Sequence, residues 1–468
     1  MKKILLLGSA LMLSACASQP PQLEANADSL AEAEIVAGKV YTHQLANGMK
    51  ILVKVDRRAP VVVNQIWYKV GSSYEHNGIT GISHMLEHMM FKETENLKIG
   101  EFSEIVAENG GRDNAFTGRD YTAYFQTIAA DRLPLMMELE ADRMRHVRIS
   151  AAEFAKELEV VKEERRWRTE DKPTALLLER FNATAFMNSP YHHPVVGWME
   201  DLDAMRMEDA MAWYQRWYAP NNAVQVVVGD VNPQTVFALA EKTFGKHRAV
   251  ALQAPKPQPE TRQRGERYIK VHGRAELPYL LLGWKVPTLV TAAGDAEREK
   301  EVYALEVLAG VLDGGNSARF PRELVREAQI AQNASASYSL LGRWESLFTL
   351  GGTPARGASV GALQAALLAQ IERIKTTPVT AQELQRVKSQ VLAADVYEKD
   401  SMFYQGMVLG MLETVGLSWR KADEYLSKVQ AVTAEEVQAV ANKYLTPRSL
   451  SVAELVPDVA APATGVQP

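Results

Sequence analysis

The run His84-Met85-Leu86-Glu87-His88 sets three titratable side chains inside an apolar neighbourhood, with Ile82 ahead of it and Met89, Met90 and Phe91 behind. Met85, Leu86, Met89 and Met90 make a helix here apolar nearly all round, and such a helix is buried. Histidines and a carboxylate on a buried helix need partners. Residues four apart share a helix face, so His84 and His88 can turn their imidazoles toward one Zn2+. Glu87, one residue before the second histidine, leans toward the same place and can take a proton from a water there. The plainer reading, two surface histidines on an amphipathic helix, conflicts with the apolar neighbours.

A catalytic zinc takes three protein ligands and leaves a fourth position to water, so a further ligand is needed. The best candidate segment is Glu157-Leu158-Glu159-Val160-Val161-Lys162-Glu163-Glu164-Arg165-Arg166. Val160 and Val161 define its buried stripe, Glu157 and Glu164 fall seven apart on one face bordering that stripe, and Glu163 points elsewhere. Taken alone, the segment reads better as a solvated helix surface of mixed charge.

A buried site needs a core around it. At 468 residues the chain exceeds one ordinary domain, and 47% hydrophobic with 23% charged residues excludes both disorder and a polytopic membrane protein. A formal net charge of −5 offers no basic surface for nucleic acid. Apolar runs around Asn47-Gly48 mark a hairpin, and Val61 to Tyr68 reads as a further strand. Helical periodicity follows through Ser83 to Phe91, Asp131 to Val147 and Ala151 to Arg168, and Asn222 to Asp230 holds a buried strand and a turn.

Residues 251–265 read as a linker, with three prolines between Ala254 and Glu260. Beyond it the pattern partly repeats. Strands Arg267 to His272 and Tyr279 to Lys285 precede helices Arg298 to Leu312, Leu363 to Lys375, Ala381 to Tyr397 and Ala434 to Tyr444. The expected fold is α+β, with two similar domains at residues 37–250 and 266–456, each a mainly antiparallel β-sheet packed with α-helices. Only the first carries the histidine cluster. Residues 457–468 read as a disordered tail.

At the other end, the basic Met1-Lys2-Lys3 and the apolar Ile4 to Leu13 make a secretory signal over residues 1–15, too short to span a bilayer. Leu13-Ser14-Ala15-Cys16 resembles the lipobox of bacterial lipoproteins, which makes Cys16, the single cysteine, a lipidated N-terminus followed by a tether over residues 16–36. A plain signal peptide with a chance cysteine is the alternative. Ala17 after the cysteine points, in the lipoproteins it resembles, to the outer membrane of a Gram-negative cell.

Gly81 to Lys92, Asn109-Gly110-Gly111 with Asn114-Ala115-Phe116-Thr117, and the Glu157 to Glu164 segment together resemble the pitrilysin (insulinase) family of zinc peptidases. Pro190 to Gly197 and Trp217 to Asn222 running on to Asp230 look like further signatures of that family. The resemblance covers about residues 37 to 456 and is stronger in the first half. It implies half of a pitrilysin-type clamshell and one Zn2+ per chain on His84, His88 and Glu164, with Glu87 as general base. Glu157 matches an acidic residue that orients a ligand. Asp113 to Thr117 resembles the family's edge strand, in which Asn114, Ala115, Phe116 and Thr117 would pair with an extended substrate through the backbone.

The implied activity is endopeptidase action on peptides or unfolded segments in the cell envelope, on the periplasmic side. A non-catalytic scaffold subunit is the alternative, since relatives exist that have kept the fold and lost the metal. In this family the half opposite the zinc supplies an Arg and, seven residues later, a Tyr. No such pair occurs after residue 266, and Leu324 to Asn333 contains no Tyr. The resemblance therefore implies a hetero-dimer with a similar-sized subunit that lacks the zinc motif, with a homodimer as the alternative. His192 and His193, between Pro190 and Pro194, read as structural, and His43, His76, His146, His247 and His272 as ordinary histidines.

Overall fold

The hairpin expected at Asn47-Gly48 is present in the computed structural model, which describes residues 35–253 and 255–458. The expected leader, Cys16, most of the tether and the tail from residue 459 lie outside the described residues. The described residues from Val36 onward form one unit.

In the hairpin, β1 (Val40–Gln44) and β2 (Lys50–Val55) are antiparallel, and Gly48 takes the left-handed conformation at φ 92°. Four more strands complete the first sheet: β3 (Val61–Tyr68), β4 (Arg112–Thr117), β5 (Thr122–Ala129) and β6 (Ala223–Gly229), in the order β1-β2-β6-β3-β5-β4. The apolar run of β6 is buried at every position, as a central strand covered on both faces requires.

The second sheet holds β7 (Arg267–Gly273), β8 (Tyr279–Val286), β9 (Ala331–Ser337), β10 (Ser346–Pro354) and β11 (Leu450–Pro457), in the order β7-β11-β8-β10-β9. Strand for strand it copies the first. One parallel pair in each (β2 with β6, β7 with β11) is followed by antiparallel neighbours only, and β1 alone has no counterpart. The fold is mixed α+β with two sheets, and the repeat inferred from periodicity is a repeat of topology.

Each sheet takes a helix from the other half of the chain. Helix Pro173–Ala185 lays Leu177, Phe181 and Ala185 on Leu281 of β8 and on Ala453 and Leu455 of β11. The opposite face of that sheet carries the main core, where Leu280, Leu282 and Trp284 meet helices Ala296–Asp313, Val360–Thr376 and Ala434–Tyr444. In return, helix Met402–Thr414 lies on β3 and β6, with Leu409 in the same cluster as Trp67, Val224, Val226 and Val228.

Glycine permits both close approaches. Gly410 faces the indole of Trp67 with no room for a Cβ, and a Cβ on Gly283 of β8 would stand 2.6 Å from Phe181. The ion pair of Lys50 with the buried Glu413, 2.8 Å, fixes the second exchange. The remaining face of the first sheet is covered by helices including Ile82–Met89 and Leu133–His146, and there the histidines sit.

Candidate metal centre

Helix Ile82–Met89 begins at Gly81, whose φ of 88° and tight backbone contact with Val196 and Gly197 leave no space for a side chain. Its first N–H groups are capped from a distance. The buried Glu75 carboxylate accepts from Gly81 N at 2.7 Å and Ser83 N at 2.9 Å, an anion at a helix N-terminus. Burial nevertheless pushes that carboxyl up to about 7. Met85, Leu86 and Met89 are buried as the apolar pattern requires, and His84 is 6% exposed.

Helix Ala151–Arg165 passes alongside and brings Glu157 and Glu164 to the histidines, as one helix face should. One point of the expectation fails. Val161 is fully buried, whereas Val160 is 50% exposed, so the buried stripe runs through Phe154, Leu158, Val161 and Arg165. The α-helix also ends earlier than periodicity predicts, at Arg165, and continues as a wider π-helical turn over Arg166–Glu170.

His84 Nε2 and His88 Nε2 lie 3.7 and 3.2 Å from Glu164 Oε2. One ligand atom from each of the three residues falls within 4.8 Å of the other two, and no other such trio of His, Cys, Asp or Glu occurs among the described residues. A tetrahedral zinc with bonds of about 2.1 Å separates its ligand atoms by roughly 3.4 Å, so the three donors fit that ion and leave a fourth position free. Beyond them, His88 Nδ1 is 2.9 Å from Glu157 Oε1, the outer hydrogen bond that fixes the tautomer of a metal-binding histidine. Lys92 Nζ, at 2.5 Å, holds the other Glu157 oxygen. Arg168 Nη1, at 2.7 Å, holds Glu164 Oε1. Glu163 faces away and pairs with Arg166.

The site's charges are set by these contacts. Burial and the neighbouring His88 lower His84 to about 4. Burial works the same way on His88, but hydrogen bonds to Glu157 and Glu164 outweigh it and raise the ring to about 9. Glu164 and Glu157 are both held below the usual carboxylate range, first by His88. Glu87 is pushed up by burial, against the hydrogen bond that Thr117 Oγ1 donates to its Oε2.

Thr117 ends β4, which among the described residues pairs only with β5 and leaves its other edge open beside the site. Within it Phe116 turns its ring to Trp67 at 5.4 Å, so that side chain belongs to the packing on the far face. Asn114 is exposed and its Oδ1 accepts from Ala115 N. The contacts of Lys92, Arg168 and Thr117 are not foreseen from sequence. The first two had a signal in their spacing, four residues after His88 and Glu164, although Lys92 lies beyond the end of its helix.

His192 and His193 do not join the site. His192 Nδ1 donates to Ser189 O at 2.7 Å and His193 Nε2 lies 3.1 Å from Asn77 Oδ1, contacts that brace the loop against Gly81.

Residues 50–197 match the family described as Insulinase (Peptidase family M16), and residues 204–391 match Peptidase M16 inactive domain. The zinc protease PqqE of Helicobacter pylori is 37% identical over 349 residues, covering 74% of this chain and 76% of that protein. A Bacillus subtilis protein named as uncharacterized zinc protease YmxG is 26% identical, covering 87% and 96%. The crystal structure of a protease from Helicobacter pylori superimposes with a TM-score of 0.84 at 32% identity, covering 90% of this chain and all of that one, 100%.

Proposed function

The chain belongs to the insulinase family of peptidases, family M16, and on that premise we propose that it is a zinc-dependent endopeptidase acting on peptides or unfolded segments in the cell envelope. The observation that carries this reading is the convergence of His84 Nε2, His88 Nε2 and Glu164 Oε2 beside the Glu87 carboxylate. A zinc ion on those three donors supplies Lewis-acid polarisation of the scissile carbonyl and acidifies the attacking water.

The chain's own residues do the rest. Thr117 occupies Glu87 Oε2, which leaves Oε1 to accept the proton of the attacking water and to pass it to the departing amine. Glu157 holds His88 with Nε2 turned toward Glu164, and Arg168 takes one oxygen of Glu164, so that His88 Nε2 and the other Glu164 oxygen would be left to hold the metal. The open edge of β4 beside Glu87 suits an extended peptide that adds as a further strand through Asn114 to Thr117. Such a substrate is chosen for being unfolded more than for its sequence.

A scaffold role draws on the match of residues 204–391 to the inactive-domain family, but all the site residues lie in the other match, residues 50–197. The same reading gives the chain a lipid anchor on Cys16 in the outer membrane. It also gives a zinc-free partner subunit that brings the Arg and Tyr missing after residue 266. The test is zinc content and peptidase activity of the protein from Ala17 onward and of its Glu87→Gln variant, each with and without a candidate partner. About one zinc per chain in both proteins, with turnover lost only in the variant, supports the reading. Absence of zinc from both would sink it and leave the scaffold.

A further inference from the structure

A cavity of about 830 Å3 takes no part in the proposed hydrolysis. Its walls are the outward face of the exchanged helix Met402–Thr414, which presents Tyr404, Val408 and Leu412, and helices Ala296–Asp313, Ala381–Glu398 and Lys421–Ala431. The aliphatic part includes Leu289 and Val391, and of the six tyrosines that line it Tyr303, Tyr338, Tyr404 and Tyr425 lie in the same part of the chain as Glu306, the other two being Tyr121 and Tyr191.

The charged groups of the lining are unequally matched. Lys421 pairs with Glu299 and Glu424, Lys399 pairs with Asp395 at 2.6 Å, and the guanidinium of Arg119 stacks on Tyr191 at 5.0 Å. Lys54 is lowered by burial and by the neighbouring Lys399, which outweigh the pull of Asp423, Asp56 and Asp395. Among the described residues Glu306 has no counter-ion. One of its oxygens accepts the Tyr425 hydroxyl at 2.7 Å, and the other is buried with no hydrogen-bond partner. Burial raises the carboxyl to about 7, against the hydrogen bond from Tyr425. One helical turn earlier the Tyr303 hydroxyl is likewise buried and unpartnered.

A carboxylate stripped of water without a counter-charge is costly, and a cation that enters beside it removes that cost. Tyrosine rings attract the same charge through their faces. A metal ion is a poor candidate, because a lone carboxylate offers too few ligands and Glu306 belongs to no three-ligand group among the described residues. An anion would face Glu306 directly. An uncharged apolar molecule would leave the carboxylate as it stands.

We propose that this cavity binds an organic ammonium ion, an alkyl or aryl amine whose charged head meets Glu306 and the tyrosine rings while its apolar body lies along Val391, Val408 and Leu412. The inference rests on the cavity alone and is independent of the metal centre.

The test is calorimetric titration of the zinc-stripped protein with hexylamine, hexan-1-ol and hexanoate, which share one body and differ in charge. Stripping any metal keeps the amine's lone pair from coordinating an ion held by His84, His88 and Glu164. Hexylamine is expected to bind at least tenfold more tightly than either analogue, and Glu306→Gln to remove that preference while leaving hexanol unchanged. Hexylamine binding no tighter than hexanol overturns the proposal, as does an undiminished preference in Glu306→Gln. Should Glu306→Gln fail to fold, the ranking of the three ligands on the unaltered protein still decides.

Discussion

Replacing Glu157 by Gln changes no ligand of the metal centre, yet it should weaken metal binding by a predictable amount. In the structure His88 Nδ1 lies 2.9 Å from Glu157 Oε1, and the Glu157 side chain is 13% exposed, so the bond is made largely out of water. Gln keeps the shape and removes the charge that makes His88 a stronger donor to zinc. It also leaves Lys92, 2.5 Å away, without its counter-ion.

Hydrogen bonds to charged groups contribute about 1.5 to 3 kcal/mol. Loss of such an outer partner lowers metal affinity about 10- to 100-fold, or about 1.4 to 2.7 kcal/mol, which agrees. Competition with a chromogenic chelator measures the affinity, and far-UV circular dichroism confirms the fold. The expected order of affinity is wild type, then Glu157→Gln, then Glu164→Gln, with Glu157→Gln recovering cleavage when zinc saturates it. An affinity equal to wild type would refute the reasoning. So would a loss as deep as that of Glu164→Gln, because Glu157 would then be acting as a ligand.

Three further outcomes follow from other parts of the structure. Phe181→Ala empties a fully buried site on the exchanged helix, packed on Gly283, and should cost about 3 to 5 kcal/mol in urea denaturation; a loss under about 1 kcal/mol would mean that the helix is not anchored there. Burial disfavours the Glu383 carboxylate, but hydrogen bonds of 2.7 and 2.9 Å from the buried Arg319 prevail and lower it to about 2. Because the folded value is depressed, this pair stabilises the protein above the unfolded value, about 4.5, and the benefit fades as pH falls toward 2. The stability gap between wild type and Glu383→Gln should therefore narrow on acidification, and a gap constant from pH 5 to pH 3 contradicts the assignment. Chelation of zinc should lower the melting temperature, because bound metal contributes about 4 kcal/mol of stability when free zinc stands at a thousand times its Kd, and a melting curve unmoved by verified metal removal tells against the site.

Much of the site is legible in the sequence because its parts are local. The histidines four apart need only a helix to share a face, and Glu157 and Glu164 need only a second one; both helices follow from periodicity. The Asn47-Gly48 hairpin and the all-apolar β6 are local in the same sense. The burial of Val161 and exposure of Val160 were not legible, since a short helix of mixed charge shows two valines and not which of them meets a neighbour. Nor is β9 legible in Ala331–Ser337, whose AQNASAS carries no alternation and takes its conformation from β10.

What only the tertiary structure decided is pairing at a distance. Helices Pro173–Ala185 and Met402–Thr414 each lie on the sheet built by the other half of the chain, Thr117 reaches Glu87 across thirty positions, and Glu306 is left, among the described residues, without a counter-ion in a cavity that four helices help to line. Sequence by itself determined, the stripe through Val160 excepted, which faces are apolar, and it determined which side chains could share a metal. Which surface covers each face was decided in three dimensions, because periodicity records how much of an element avoids water and carries no address for the partner that excludes it.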